Sequence, residues 1–220
     1  NENTNTAGQQ NILLGNKVVN TAGEQNILQG NEITNTTGAQ NINMGNSLTN
    51  SGAFNVVMGN KVGNIGTTNV AIGNAVGIAG GASNIAMGNA VAVAGGVGNI
   101  AMGNGAGTAI GTGNIAFGNG AVTGAATGAI AIGNGAAVGA AAGAIAMGNG
   151  AAVGASAGAI AIGNGAVISA SGNGGQGSIA LGNNASAVDG QNQIAMGNNV
   201  TATDDSTIAI GDNSQASETG

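Results

Sequence analysis

The chain has 220 residues, 46 of them glycine, and it contains no Trp, Tyr, Pro, Cys or His. Two basic residues against eight acidic ones give a formal net charge of -6, which excludes nucleic-acid binders that depend on clustered Lys and Arg. The absence of Cys excludes disulfides and thiolate metal sites. No apolar run approaches the roughly 20 residues of a membrane-spanning helix, so no membrane contact is expected within this segment.

An apolar triplet followed by Gly-Asn recurs down the whole chain at a step of about 15 residues. A fixed period of this length indicates one small structural unit stacked on itself, not a globular domain with a single active site. The sequence therefore predicts an all-β fold, a parallel β-roll or β-solenoid of about 14 coils. The glycines of the phrase, here called the marker glycines, are Gly15, Gly30, Gly45, Gly59, Gly73, Gly88, Gly103, Gly118, Gly133, Gly148, Gly163, Gly182, Gly197 and Gly211.

Two apolar positions lead into each marker glycine, three residues and one residue before it. The first is always β-branched, which favours a strand, and the second is large and apolar in every coil except at Gln29. Because alternate residues of a strand share a face, we expect both positions to point inward and the intervening Ala outward. The predicted core residues of the middle coils are Ile85, Met87, Ile100, Met102, Ile115, Phe117, Ile130, Ile132, Ile145, Met147, Ile160 and Ile162.

Asparagine follows the marker glycine in every coil but the last, where Asp212 replaces it. Asn accepts the left-handed backbone of tight turns, and stacked amides can bond from coil to coil. A small apolar residue such as Val18 follows two positions later, so each coil is predicted to hold two short strands and two turns. We expect a structural asparagine ladder, not a ligand-binding array, formed by Asn16, Asn31, Asn46, Asn60, Asn74, Asn89, Asn104, Asn119, Asn134, Asn149, Asn164, Asn183 and Asn198.

The composition changes along a predicted single solenoid, 1–220, without a change of period. Coils in 1–74 are rich in Asn and Thr, those in 75–168 are mostly Ala and Gly, and those in 169–220 regain Ser, Thr and acids. The last zone follows a short insertion at 171–177, which we interpret as a surface loop.

The middle of the chain carries no charge, since no Asp, Glu, Lys or Arg lies between Lys61 and Asp189. Soluble monomers rarely leave such a surface facing water, so packing against other chains is expected. The chain begins at Asn1 without a signal peptide, and we interpret it as a processed protein or a segment of a longer one.

Motifs that carry chemistry in other solenoids are incomplete here. Gly-Asn-Gly-Ala lacks the Asp of calcium-binding rolls, and Asp204, Asp205 and Asp212 are interpreted as a solvated acidic turn. The segment Ile162–Ile168 is similar to the hexapeptide repeat of left-handed β-helix acyltransferases, whose chemistry relies on His. With neither His nor Cys, acid–base and nucleophilic catalysis have no candidate residue, so no enzyme activity, cofactor or metal is expected. Thr-rich segments such as Thr4-Asn5-Thr6 are similar to flat ice-binding faces, but their spacing is not kept through the middle coils.

Two phrases near the end of the chain resemble the head repeats of trimeric autotransporter adhesins, the YadA-like head. They are Ser178-Ile179-Ala180-Leu181-Gly182-Asn183-Asn184-Ala185-Ser186-Ala187 and Thr207-Ile208-Ala209-Ile210-Gly211-Asp212-Asn213-Ser214-Gln215-Ala216. The resemblance is strongest from Gly177 to Gly220 and weakest before Asn60. It implies left-handed coils and three chains packed side by side, with their strands buried at the centre.

From this resemblance we expect a non-enzymatic extracellular protein of the bacterial cell surface, acting as a trimeric adhesin head or spacer. Its expected partners are copies of itself and host or matrix surface molecules. The alternative is a structural subunit that polymerises head to tail into an extracellular fibre or sheath, because neither end carries an obvious polar cap. The two differ in whether assembly stops at three chains.

Overall fold

The computed structural model describes residues 2–169 and 175–217. In these residues all regular structure is β-strand, and no helix is long and apolar enough to cross a membrane. The chain is an all-β parallel solenoid of about 14 turns of about 15 residues. The fold class predicted from the periodicity is therefore confirmed.

The chain divides into two compact units, Asn1–Gly107 and Thr108–Gly220. The strands of the first unit are β1 (Thr4–Asn5), β2 (Ile12–Asn20), β3 (Ile27–Asn35), β4 (Ile42–Ser51), β5 (Val56–Asn60), β6 (Gly63–Ile65), β7 (Val70–Asn74), β8 (Gly77–Ile78), β9 (Ile85–Asn89), β10 (Ala92–Val93), β11 (Gly96–Val97) and β12 (Ile100–Asn104). The short strand β13 (Gly107–Thr108) lies at the boundary. The strands of the second unit are β14 (Gly111–Thr112), β15 (Ile115–Phe117), β16 (Val122–Thr123), β17 (Ile130–Ile132), β18 (Ala137–Val138), β19 (Ile145–Met147), β20 (Ala152–Val153), β21 (Ile160–Ile162), β22 (Val167–Ser169), β23 (Ile179–Leu181), β24 (Ser186–Val188), β25 (Ile194–Met196), β26 (Thr201–Thr203), β27 (Ile208–Ile210) and β28 (Gln215–Ala216).

Strands pair in parallel with the equivalent strand one coil further along. In the first unit Ile85 of β9 lies opposite Ile100 of β12. In the second unit Ile145 lies opposite Ile160, and Ile160 lies opposite Ile179 in spite of the longer step. Each position of the repeat therefore forms a column of equivalent residues within its unit.

The longer step holds the segment 171–177 that was predicted to be a surface loop. Its first part, 171–174, lies outside the described residues. The remainder, 175–177, forms a turn in which Gly175 is buried while Gln176 and Gly177 are exposed.

The corners of the coil have a left-handed backbone at two columns. One column lies two residues after the marker glycine, with φ of 53° at Lys17 and 66° at Gly135. The other lies five residues before it, with φ of 58° at Gln25 and 66° at Gly128. The predicted turn is thus present, but its left-handed residue is the one after the asparagine and not the asparagine itself.

Small side chains fill most of the interior of the coils from Ala71 onward, whereas the first coils also bury larger residues such as Leu28 and Ile33. The Ala two residues before the marker glycine is inaccessible to solvent in coil after coil, as at Ala86, Ala131 and Ala161. It packs with the residue three positions after the glycine, such as Ala136, and with Val138 of the following strand. In the second unit the two strands of a coil therefore enclose a narrow lumen made largely of Ala and Val.

The predicted inward orientation of the larger apolar residues is wrong. Phe117 and Met147 are exposed, and the other ten predicted core residues are only half-buried: Ile85, Met87, Ile100, Met102, Ile115, Ile130, Ile132, Ile145, Ile160 and Ile162. They do share one face, but it is the outer face of the strand. Hydrophobic alternation defines two faces without saying which one encloses the lumen, and here the lumen is filled by Ala and Val.

Candidate functional site

The large apolar side chains form a face on the outside of the first strand of each coil. We call this the apolar face, and define it as the two columns three residues and one residue before the marker glycines. In the first unit it begins with Ile12 and Leu14, each 59% exposed. In the second unit it includes Phe117, 50% exposed, and ends at Ile210, 62% exposed.

The apolar face has the chemistry of a protein–protein interface. Its side chains are β-branched residues, Met, Leu and Phe, interrupted by one polar residue, Gln29. Burial of each of these side chains away from water is favourable by roughly 1.5–3 kcal/mol of free energy. Large exposed apolar patches are uncommon on monomeric soluble proteins, which makes this face the candidate site of each unit.

A second outward face lies on the other strand of each coil and carries mostly small or polar residues, with a few larger ones such as Ile65 and Val122. We call it the display face, and define it as the columns four and six residues after the marker glycine. In the first unit it carries Thr and Ser through Thr49 and Ser51, and continues with Gly63 and Ile65. Since the two strands of a coil face each other across the lumen, the display face points away from the apolar face of the same unit.

A shallow groove of about 470 Å³ lies on the display face of the first unit. It forms where Gly63 and Gly77 replace side chains, since a β-carbon added at either glycine would have no neighbour within 4 Å. None of its lining residues is titratable or nucleophilic except the hydroxyl of Thr49. The lining residues are Thr49, Gly63, Asn64, Ile65, Gly77, Ile78, Ala79, Ala92, Val93 and Ala94.

The asparagines after the marker glycines form a ladder on the solvent-exposed edge of the coils. In the first unit the Nδ2 of each donates to the Oδ1 of the next, at 2.9–3.1 Å, from Asn16 through Asn31, Asn46, Asn60, Asn74 and Asn89 to Asn104. In the second unit such bonds join Asn119 to Asn134 and run from Asn164 through Asn183 and Asn198 to Asp212. Asn149 occupies the same column without such a bond in the described part of the chain.

A second set of asparagines, missed in the sequence analysis, lies buried inside the first unit. One column lies four residues before the marker glycine, and its Oδ1 atoms accept the backbone N–H of the next coil, as from Asn55 to Asn41 at 2.9 Å. Another lies five residues after it, and its amides bond from coil to coil, as from Asn35 to Asn20 at 2.7 Å. Asn41 also donates to Asn35 at 3.3 Å, which joins the two columns.

Recurrence alone identifies both buried columns in the sequence. Asn stands four residues before eight successive marker glycines, from Asn11 to Asn114. The second column recurs over four coils, as Asn20, Asn35, Asn50 and Asn64. These amides satisfy each other and the backbone, which removes the usual penalty for burying polar groups.

The acidic turn near the end of the chain is held by hydrogen bonds within the protein. The Oδ1 of Asp205 accepts the backbone N–H of Gln191 at 2.8 Å, and the Oδ1 of Asp212 accepts from Asn198. Among residues 2–169 and 175–217, no three acidic, His or Cys side chains are grouped so that they could hold a metal ion.

Comparison with known proteins adds no family assignment. No protein-family model matches the chain, and no curated protein matches its sequence.

Proposed function

We propose that this chain is a repetitive head or spacer of a bacterial surface adhesin, a non-enzymatic extracellular protein that works as a homotrimer. The observation that carries the proposal is the apolar face, which leaves residues such as Ile12, Phe117 and Ile210 half or more exposed on a single chain. The left-handed coil implied by the resemblance belongs to the same proposal.

Self-association accounts for the apolar face better than a different partner does. The face repeats with the period of the coil, so a second copy of the chain presents a matching series of ridges. No charged residue lies between Lys61 and Asp189, so copies can approach without charge repulsion over that whole length. Closed symmetric assemblies are the usual outcome when identical surfaces pack together.

The number of copies and the adhesive role come from the resemblance. The phrases at 178–187 and 207–216 resemble YadA-like head repeats, in which three chains bury strands at the centre. In the strand Ile179–Leu181 of this phrase the outward residues are Ile179 and Leu181, and Ala180 between them is buried. Under the proposal Ile179 and Leu181 meet their counterparts from the other two chains, and Ala180 stays inside its own coil.

In such an assembly the display face remains accessible to host or matrix surface molecules. The face repeats in every coil, so contacts that are individually weak act together. No single residue is the binding site under this proposal, because equivalent columns offer equivalent contacts.

Binding of the purified full chain to host-cell monolayers and to immobilised matrix proteins tests the adhesive role. We expect saturable binding by the parent chain and much weaker binding by Ile130→Asp, because loss of association removes the multivalency. A variant of an exposed residue outside the apolar face, Ala140→Asp, is the matched control and should bind like the parent. Absence of parent binding to every such surface contradicts the adhesin proposal.

A further inference from the structure

A two-column array of hydroxyl and methyl groups covers the display face of the first four coils. Paired strands set its register, with Thr4 opposite Val19, Val19 opposite Thr34 and Thr34 opposite Thr49. A second column lies two residues further along the chain; its members directly follow β1, β2 and β3 and end β4 at Ser51. The eight residues, here called the threonine array, are Thr4, Thr6, Val19, Thr21, Thr34, Thr36, Thr49 and Ser51.

The threonine array is rigid because it is held from both sides of the strand. In the plane of the sheet the backbone N–H groups of Thr21 and Thr36 donate to the next coil at 2.9 Å. Behind the sheet the intervening residues Asn20, Asn35 and Asn50 are buried, and their amides are linked at 2.7 and 3.1 Å. The outward side chains are therefore fixed to a regular lattice.

The threonine hydroxyl groups of the array are free to bind water. Within the described residues, the side chains of Thr4, Thr6, Thr21, Thr34, Thr36 and Thr49 make no hydrogen bond to the chain. The one bonded hydroxyl is that of Ser51, 3.2 Å from the hydroxyl of Thr37. No residue of the array is charged or aromatic.

We propose that the threonine array binds ice. Adjacent strands place equivalent Thr about 4.8 Å apart, and alternate residues on one strand lie about 6.6 Å apart. These two spacings are close to the distances at which water molecules repeat on the surface of hexagonal ice. Each Thr methyl orders the water around it and each free hydroxyl anchors one water, so the array holds a layer of water continuous with the ice lattice.

The chemistry of the array selects ice over other extended ligands. A sugar polymer is bound on flat faces by aromatic rings, which the array lacks. An anionic or cationic polymer needs an opposite charge, which it also lacks. The middle coils interrupt the Thr spacing, so the proposal is confined to the first four coils and does not depend on the proposed trimer.

Ice-affinity partitioning and ice-recrystallisation inhibition test this inference with the full chain. Thr36→Lys places a charge in the middle of the array at an exposed site, and Thr68→Lys is the matched control on an exposed corner of the same unit. Circular dichroism and light-scattering mass establish that both variants keep the fold and assembly of the parent.

We expect the parent chain and Thr68→Lys to enter growing ice and inhibit recrystallisation, and Thr36→Lys to lose both activities. Exclusion of the parent chain from ice overturns the inference. Equal partitioning of the two Lys variants also overturns it, because the array would then not be the binding surface. Either failure leaves particle mass and host-surface binding unaffected, so it is distinguishable from failure of the adhesin proposal.

Discussion

Ala131 is inaccessible to solvent inside its coil, whereas Ile130, the residue before it, lies on the outer surface of the same strand. The smaller side chain is the one in the core. This relationship repeats in the coils from Ala71 onward, where one column packs the interior and its neighbour stays on the outer surface. The column of Ala131 determines the fold, and the column of Ile130 is available for association.

Substitutions at these neighbouring residues should therefore have different consequences. Ala131→Asp places a charge in a lumen without a partner, and we expect several kcal/mol of destabilisation or failure to fold. Ile130→Asp should keep the strand content of the parent, measured by circular dichroism, while association is lost. If Ile130→Asp loses its strand content as Ala131→Asp does, the assigned orientation of the strand is wrong.

The marker glycine should tolerate no side chain. At Gly133, with φ of 134°, an added β-carbon would overlap the carbonyl oxygen of Gly148 in the next coil. We expect Gly133→Ala to cost about 3 kcal/mol or more of unfolding free energy. Gly135→Ala is the control, because its β-carbon would meet nothing within 4 Å and the left-handed backbone alone costs about 1 kcal/mol. Urea unfolding of the two variants measures the difference, and equal losses would refute the steric explanation.

Some corners of the first unit hold a non-glycine residue in a left-handed backbone conformation, so a change to glycine should stabilise the chain. Ala90 has φ of 53°, in the region that glycine adopts without strain. We expect Ala90→Gly to raise the unfolding free energy by about 0.5 kcal/mol, since relief of strain exceeds the added entropy of the unfolded chain. Ala86→Gly, at a buried strand position of the same coil, should instead lower it by about 1 kcal/mol. Stabilisation by both changes, or by neither, contradicts the backbone argument.

Two asparagines on the same stretch of chain should respond in opposite directions. Asn41 donates to Asn35 and to the carbonyl of Gly52, and accepts from the backbone of Asn55. Asn43 is equally buried, yet neither atom of its amide has a partner. We expect Asn41→Ala to lower the unfolding free energy by about 2 kcal/mol, because the buried backbone N–H of Asn55 loses its acceptor.

Asn43→Val should raise the same free energy by about 1–3 kcal/mol, because an unsatisfied amide is removed from an apolar column. Its neighbours in that column, Leu28 and Val57, show that a large aliphatic residue fits there. Calorimetry of Asn41→Ala and Asn43→Val measures the change in unfolding free energy of each variant. A destabilised Asn43→Val would mean that the amide has a partner, such as a bound water.

Most of the fold could be predicted from the repeat period, because every coil must present the same contacts to the next. The marker glycines and the asparagines after them located both the strands and the surface ladder. The period does not predict which of Ile130 and Ala131 faces the interior of the coil. Both faces of the strand are apolar, and side-chain size alone predicts the wrong face. The column of Asn41 was visible in the sequence, but its amides are satisfied only by neighbours that the register brings together. The threonine array likewise needs the register, because Thr34 and Thr49 are equivalent only when stacked.

The central claim is that copies of this chain cover the apolar face and that assembly stops at three. Light-scattering mass across a range of concentrations tests it most directly, with Ile130→Asp as the variant that should not associate. We expect a constant mass of about 61 kDa for the parent, three times the 20.3 kDa of one chain. A mass that stays at one chain would contradict burial of the apolar face, and a mass that grows with concentration would indicate the fibre-forming alternative.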